Sequence, residues 1–302
     1  MIHTVRTLPL SNTFFTSSCA RVFRVAGHNT CQKQMNTPVL SISNLSTGYR
    51  GKVVAQGLTA QLMPASLTAL VGQNGAGKST LLRTLAALQP AMGGEVRWQG
   101  RELAEYSPNE LARLVAVVLT ARTESDALTV EDVVSLGRVP YTGLSGRLSA
   151  ADHALVEAAM AQMGVEEWRR RRVQTLSDGE RQRVMIAKAL AQQTPVIILD
   201  EPTAFLDFPG KVALLKLLER LSSLHGKTIL FSTHDLELAL QLVSRLWVLS
   251  ADGLAEGTPR ALAGDGTISR LFAGAGVIFN AAQMRFVVEG SNAGVASPVI
   301  HH

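Results

Sequence analysis

Cysteine is nearly missing from this sequence: 302 residues hold two, Cys19 and Cys31, and both fall in the first 36. The rest of the chain has no thiol, which excludes a disulfide framework and a cysteine-based metal centre there. Long apolar runs are missing too. None approaches the roughly eighteen residues that a bilayer span requires, so the chain is expected to be soluble or to lie against a membrane surface. The hydrophobic content of 46% then points to a core of parallel strands covered on both faces. Acids are absent from residues 1 to 36, which carry Arg6, Arg21, Arg24 and Lys33. Taking those four from 29 cations leaves 25 against 24 acids, so the pI near 9.5 belongs to the leader and the remainder is close to neutral. A nucleic-acid binder shows a basic face on its folded part. Only Arg169-Arg170-Arg171-Arg172 offers such a run, and no nucleic-acid partner is expected.

The leader is Ser/Thr-rich and lacks an apolar h-region, which favours a disordered or misassigned start over a cleaved signal. Alternation in Val39-Leu40-Ser41-Ile42 marks a strand, so a folded domain is expected over 37–289, with a disordered tail at 290–302. Gly72-Gln73-Asn74-Gly75-Ala76-Gly77-Lys78-Ser79-Thr80 follows the apolar run Leu67 to Val71 and precedes a helical pattern. Strand, glycine-rich turn and helix stand in the order that a phosphate cradle needs. Glycines let backbone N–H groups converge, and the helix N-terminus adds its positive dipole end. Lys78 would reach the β- and γ-phosphates, and Ser79 would offer its hydroxyl to Mg²⁺.

The run Pro195 to Leu199 ends in Asp200 and Glu201, two acids at the edge of a buried strand. Asp200 is placed to hold Mg²⁺ through water, and Glu201 to polarise an attacking water. His234 follows a second strand, Thr228 to Ser232, and would reach the same sheet edge; a lone histidine also serves as an ordinary satisfied polar residue. Tyr49, one of three tyrosines, lies about twenty residues before the phosphate loop by count and could stack on a base or simply pack in a turn. Ser177-Asp178-Gly179-Glu180 reads as a capping box whose exposed amides could receive an anion. That segment alone does not separate the cap from the anion site. Further capping patterns start at Ser107, Thr129 and Ser149, and Leu246–Leu249 with Leu254-Ala255 flank a turn as a hairpin. Val115 to Leu119 reads as a buried strand, and the helices clustered between strands suggest a helical subdomain at about 103–193 inserted into an α/β core.

Together these residues resemble the nucleotide-binding subunit of an ABC transporter, over roughly Val39 to Thr258. Gly72 to Thr80 is similar to Walker A, Leu176 to Glu180 to the signature motif and Val196 to Glu201 to Walker B. Thr203 to Asp207 resembles the D-loop, His234 the switch histidine and Tyr49 the base-stacking A-loop aromatic. The stretches Ser135 to Pro140 and Gly146 to Asp152 are similar to ATPases of bacterial importers for iron chelates, heme and cobalamin. The resemblance implies a P-loop NTPase core with an inserted helical subdomain and an antiparallel β subdomain. It implies ATP and Mg²⁺ as cofactors, and an ATPase peripheral to the cytoplasmic face of the inner membrane that powers import. Two copies would pair head to tail, with Ser177, Asp178, Gly179 and Glu180 meeting the partner's ATP and Glu201 and His234 acting in cis. An integral-membrane permease and, indirectly, a periplasmic or surface substrate-binding protein complete the implied partners. Iron chelates are the expected cargo, with heme or cobalamin, or a soluble ABC ATPase without a permease, as alternatives.

Two positions depart from the family pattern. Thr120 stands where a glutamine normally touches the metal, and its shorter hydroxyl reaches a metal only directly or through water, so contact by Thr120, or by nearby Glu124, is a marginal expectation. Asp178 and Glu180 replace glycine and glutamine in the signature. A carboxylate some 8 Å from a phosphate opposes it by roughly 2 kcal/mol per charge pair, so weaker ATP-driven pairing is expected.

Overall fold

The computed structural model describes residues 37–119, 127–143, 146–273 and 276–288. Thr120, Glu124, the leader 1–36 and the tail 290–302 lie outside the described residues. In chain order the elements are β1 (Leu40–Tyr49), β2 (Lys52–Leu62), β3 (Leu67–Gly72), α1 (Lys78–Leu85), β4 (Gly93–Trp98), β5 (Arg101–Glu102), α2 (Pro108–Leu114) and β6 (Val115–Val118). Then come α3 (Val130–Ser135), α4 (Ala150–Met163), α5 (Asp178–Ala191), β7 (Val196–Leu199), α6 (Phe208–Ser223), β8 (Thr228–Ser232) and α7 (Leu236–Leu242). The hairpin β9 (Arg245–Ser250) and β10 (Gly253–Gly257) leads to α8 (Pro259–Gly264), α9 (Thr267–Leu271), β11 (Val277–Asn280) and β12 (Arg285–Val288).

Six strands form the central sheet in the order β10-β9-β3-β8-β7-β6, parallel except for the edge strand β10. Every residue of β7 and β8 is buried, the expected result when both faces of a parallel sheet are covered. Successive side chains point to opposite faces, and two cores follow. Ala69, Ile197, Leu199, Ile229 and Phe231 pack against the helices on one face. Leu70, Val196, Ile198, Leu230 and Trp247 meet Leu81, Leu82 and Leu85 of α1 and the antiparallel sheet β2-β1-β4-β5 on the other. The α/β core and the antiparallel sheet agree with the expected fold class. Because the parallel strands run the same way, Gly72, Asp200 and Ser232 emerge at one edge, where ligands of such sheets bind.

Capping boxes occur at Ser107, Thr129, Ser149 and Ser177, all four read from sequence. The buried strand expected over Val115 to Leu119 is β6, which pairs with β7 and so belongs to the central sheet although it lies within 103–193. Helix α6 begins at Phe208, with the Asp207 carboxylate accepting from Gly210 N–H at 3.0 Å and Pro209 in its first turn. The hairpin β11–β12 was not anticipated; Phe272 and Phe279 hold it by ring contacts to Phe286 at 4.7 and 4.9 Å. The Glu237 carboxylate on α7 accepts from Phe286 N–H at 2.9 Å.

A buried clasp fixes the helices around α5. Gly137, in the 3₁₀ turn Leu136–Tyr141, lies so close to α5 that a β-carbon there would stand 2.3 Å from the Lys188 carbonyl oxygen. That approach brings Arg138 to Asp152 on α4 at 2.8 Å and to the Ala191 carbonyl at 2.8 Å, with Tyr141 stacked 4.1 Å from its guanidinium carbon. Hydrogen bonds from Ser149, side chain first and then backbone, and from Arg138 lower the Asp152 carboxyl to about 2. A depressed carboxyl pKa stabilises the fold above its unfolded value of 3.8 and loses that contribution as pH falls through about 2. Replacing Asp152 with Ala strands the buried guanidinium and should cost about 3 kcal/mol in urea unfolding at pH 7, with the gap to the parent closing in acid. A loss below about 1 kcal/mol would mark the contact as an ordinary surface pair.

Candidate nucleotide site

The phosphate loop leaves β3 at Gly72 and enters α1 at Lys78. A β-carbon on Gly72 would stand 2.4 Å from the Leu249 carbonyl oxygen, so only glycine lets the loop start that close to β9. Gly77 caps α1 at φ +100°, a left-handed value that favours glycine. Lys78 is 6% exposed and folds back over its own loop, donating to the Gly72 and Gln73 carbonyls at 2.9 and 3.2 Å. Burial lowers its pKa, opposed by the charges of Glu201 and Asp200. Gln73 turns the other way, donating through Nε2 to the Leu271 carbonyl at 2.9 Å.

Asp200 is 2% exposed at the end of β7. Its Oδ1 accepts from Ser79 Oγ at 3.0 Å and from Ser232 Oγ at 2.7 Å. Ser232 Oγ in turn accepts from the Glu201 N–H at 2.8 Å. One buried hydroxyl therefore sets the spacing of both acids. Glu201 sits at φ +48°, a strained value for a residue with a side chain, and that turn carries its carboxylate to His234, with Oε1 and Nε2 2.6 Å apart. The sequence reading passed over Ser232. Its signal was a hydroxyl closing an otherwise apolar strand beside the histidine.

A cleft of about 610 Å³ is bordered by Tyr49, Asn74, Lys78, Thr80, Glu201 and His234, with Gly75, Gly77 and Ser79 between them. Groups scattered over the chain thus face one space. Tyr49 ends β1 on the rim and is 58% exposed, leaving its ring free to receive a flat partner. Gln73 to Ala76 also border a wider cavity of about 860 Å³ beside the β9–β10 turn, which none of the expected catalytic side chains lines.

Ser177, Asp178, Gly179 and Glu180 do not join that cleft. They line a separate groove of about 580 Å³ with Trp168, Phe205 and Asp207. Both unusual acids are paired: Asp178 with Arg181 at 2.7 Å and Glu180 with Arg171 at 3.2 Å. The Ser177 backbone hydrogen bond, first among several causes, holds the Glu180 carboxyl below the usual range. The opposing field expected from two bare carboxylates is accordingly reduced by adjacent guanidinium groups.

The sheet order, the glycine loop on α1 and the paired acids at the strand ends define a P-loop nucleoside triphosphatase. The sequence matches the ABC transporter family over residues 55–204. It is 36% identical to the ferric enterobactin transport ATP-binding protein of Escherichia coli, over 76% of this chain and 84% of that protein. It is 37% identical to the iron(3+)-hydroxamate import ATP-binding protein of Bacillus subtilis, over 65% of this chain and 73% of that one. A solved ATP-binding subunit of an ABC transporter superposes with a TM-score of 0.68 at 26% identity, covering 78% of this chain and 98% of that structure. The chain belongs to the ABC transporter ATP-binding proteins and is an ATP-binding ABC ATPase. Among the described residues, no helix is long and apolar enough to cross a membrane.

Ser232→Ala tests the acid spacing. It leaves the Glu201 N–H without its acceptor and Asp200 with one donor fewer, an unsatisfied-group cost that corresponds to a roughly tenfold fall in kcat. ATPase rate and melting temperature are read together, and a parental rate in a folded variant would show that Ser232 does not set the site.

Proposed function

We propose that this chain is the ATP-hydrolysing subunit of a bacterial importer for iron chelates, of the ferric siderophore kind. The contact between Glu201 and His234 at 2.6 Å, in the same cleft as Lys78, carries the catalytic part of this reading. The transport roles of the ferric enterobactin and iron(3+)-hydroxamate relatives support the cargo.

Tyr49 stacks on the adenine, and the amides from Gly72 to Thr80, among them those of Gln73, Asn74, Gly75, Ala76 and Gly77, surround the phosphates. Lys78 exchanges its two carbonyl acceptors for phosphate oxygens, which bind an ammonium more strongly. The oxygen donors Ser79 and Asp200, already 3.0 Å apart, suit a hard cation such as Mg²⁺. No cluster of three His, Cys, Asp or Glu side chains able to hold a metal occurs among the described residues, so most other ligands would be phosphate oxygens and water. Such a cation, when bound, neutralises charge that develops on the transferred phosphoryl group. Thr120 would contribute at most a hydroxyl. Glu201 takes the proton of the attacking water, and His234 holds the Glu201 carboxylate toward the γ-phosphate end of the cleft.

The separate groove of Ser177, Asp178, Gly179 and Glu180 completes the site when a second copy binds head to tail, so that Ser177 and Gly179 meet the partner's γ-phosphate. Asp207 borders that groove while capping α6, and would carry the pairing to the strand-end acids through the short turn after Glu201. Opening and closing of the pair then drives a membrane permease at the cytoplasmic face of the inner membrane, fed by a substrate-binding protein outside. The folded domain is taken as 37–289.

Glu201→Gln should keep ATP binding and lower turnover by about a hundredfold or more; unchanged turnover would remove Glu201 as the base. Cells lacking this protein should lose uptake of radiolabelled iron presented as ferric siderophore while keeping uptake of cobalamin. Unimpaired iron uptake would overturn the cargo.

A further inference from the structure

One proton at Ser177 has two claimants. The hydroxyl donates to Glu180 Oε2 at 3.0 Å while accepting from the Glu180 N–H at 3.3 Å, and the same Oε2 accepts from Ser177 N–H at 2.8 Å. A hydroxyl has a single proton, and an ionised carboxylate has none to return. While that contact stands, Ser177 presents only lone pairs to the groove, and these repel a phosphate oxygen. A glutamine at this position would differ, because its amide can donate to the serine and leave the hydroxyl proton free.

The other carboxylate oxygen is already engaged. Glu180 Oε1 is 3.2 Å from Arg171 Nη1, and Arg171 Nη2 donates to the Thr175 carbonyl at 3.1 Å. The backbone under the arginine is fixed as well: Val130 N–H donates to the Arg171 carbonyl at 3.0 Å, and Thr129 bridges Arg172. The guanidinium is thus a planar donor on a short tether, with one arm on the loop and one on the carboxylate.

The geometry points to Arg171 as a positioning residue for the signature segment: it holds the Glu180 carboxylate so that Ser177 can turn its proton to the partner's γ-phosphate. The inference rests on the in-trans role of Ser177 proposed above. When the hydroxyl leaves, Glu180 keeps the Ser177 amide and the charge-assisted contact to Arg171, so it is not stranded. Without Arg171 the carboxylate retains the hydroxyl more firmly and faces phosphate with its charge uncompensated. The arginine run that looked like a basic patch contains the counter-charge for this chain's unusual signature acid.

The test uses the full chain carrying Glu201→Gln to slow hydrolysis, with ATP-dependent pairing followed by light scattering in Mg-ATP. Arg171→Ala should raise the ATP concentration for half-maximal pairing about threefold, and Arg171→Lys should recover most of the loss. In a Glu180→Gln background, where no carboxylate needs holding, Arg171→Ala should have no effect. An equal shift in both backgrounds would mean that Arg171 only supports the fold, and no shift in the Glu180 background would reject the role outright. Gly179→Asp, checked for folding by circular dichroism, separates the two levels. If it blocks pairing while Arg171→Ala does nothing, only the present inference fails; if it pairs like its parent, the in-trans reading fails and takes this inference with it.

Discussion

A single buried hydroxyl organises the chemistry of this molecule. Ser232 ends β8 and touches two neighbours at once, giving its proton to Asp200 and taking one from the Glu201 amide. The register of β7 against β8, which sets Leu199 beside Phe231, brings those groups within reach. Asp200 can then hold Ser79 at the start of α1, and Glu201 can turn out through a strained backbone toward His234. The strain, typically one to a few kcal/mol, persists because the amide on one side and the carboxylate on the other are both anchored.

The two hydrophobic cores explain why so few polar contacts suffice. With α1 packed between the central sheet and the antiparallel sheet, the phosphate loop is supported from beneath by Leu81, Leu82 and Leu85 and from the side by β9. Lys78 is buried by that packing and its ammonium is parked on two carbonyls of its own loop.

Much of this was legible beforehand because the decisive signals are local. Glycines, a lysine and two hydroxyls in nine consecutive positions declare the loop, and serine or threonine followed three residues later by an acid declares the starts of α2, α3, α4 and α5. Less was legible where the cause is spatial. Ser232 is an ordinary strand-end serine until β7 lies beside it. The pairing of Glu180 with Arg171 spans nine positions and depends on the turn that α5 makes with the preceding loop. The C-terminal hairpin was missed because its strands are four residues each and are held by aromatic contacts rather than by a long alternating pattern.

Gln73 gives the segment beyond the β9–β10 hairpin an importance that its modest size conceals. Its amide crosses from the phosphate loop to the Leu271 carbonyl, while Glu237, three positions after His234, binds the amide of Phe286. The last helices and the small hairpin are therefore tied to the glycine loop at one point and to the helix after His234 at another. A protein cut after Gly257 would lack these ties, and the smallest faithful unit for engineering must extend at least through Val288.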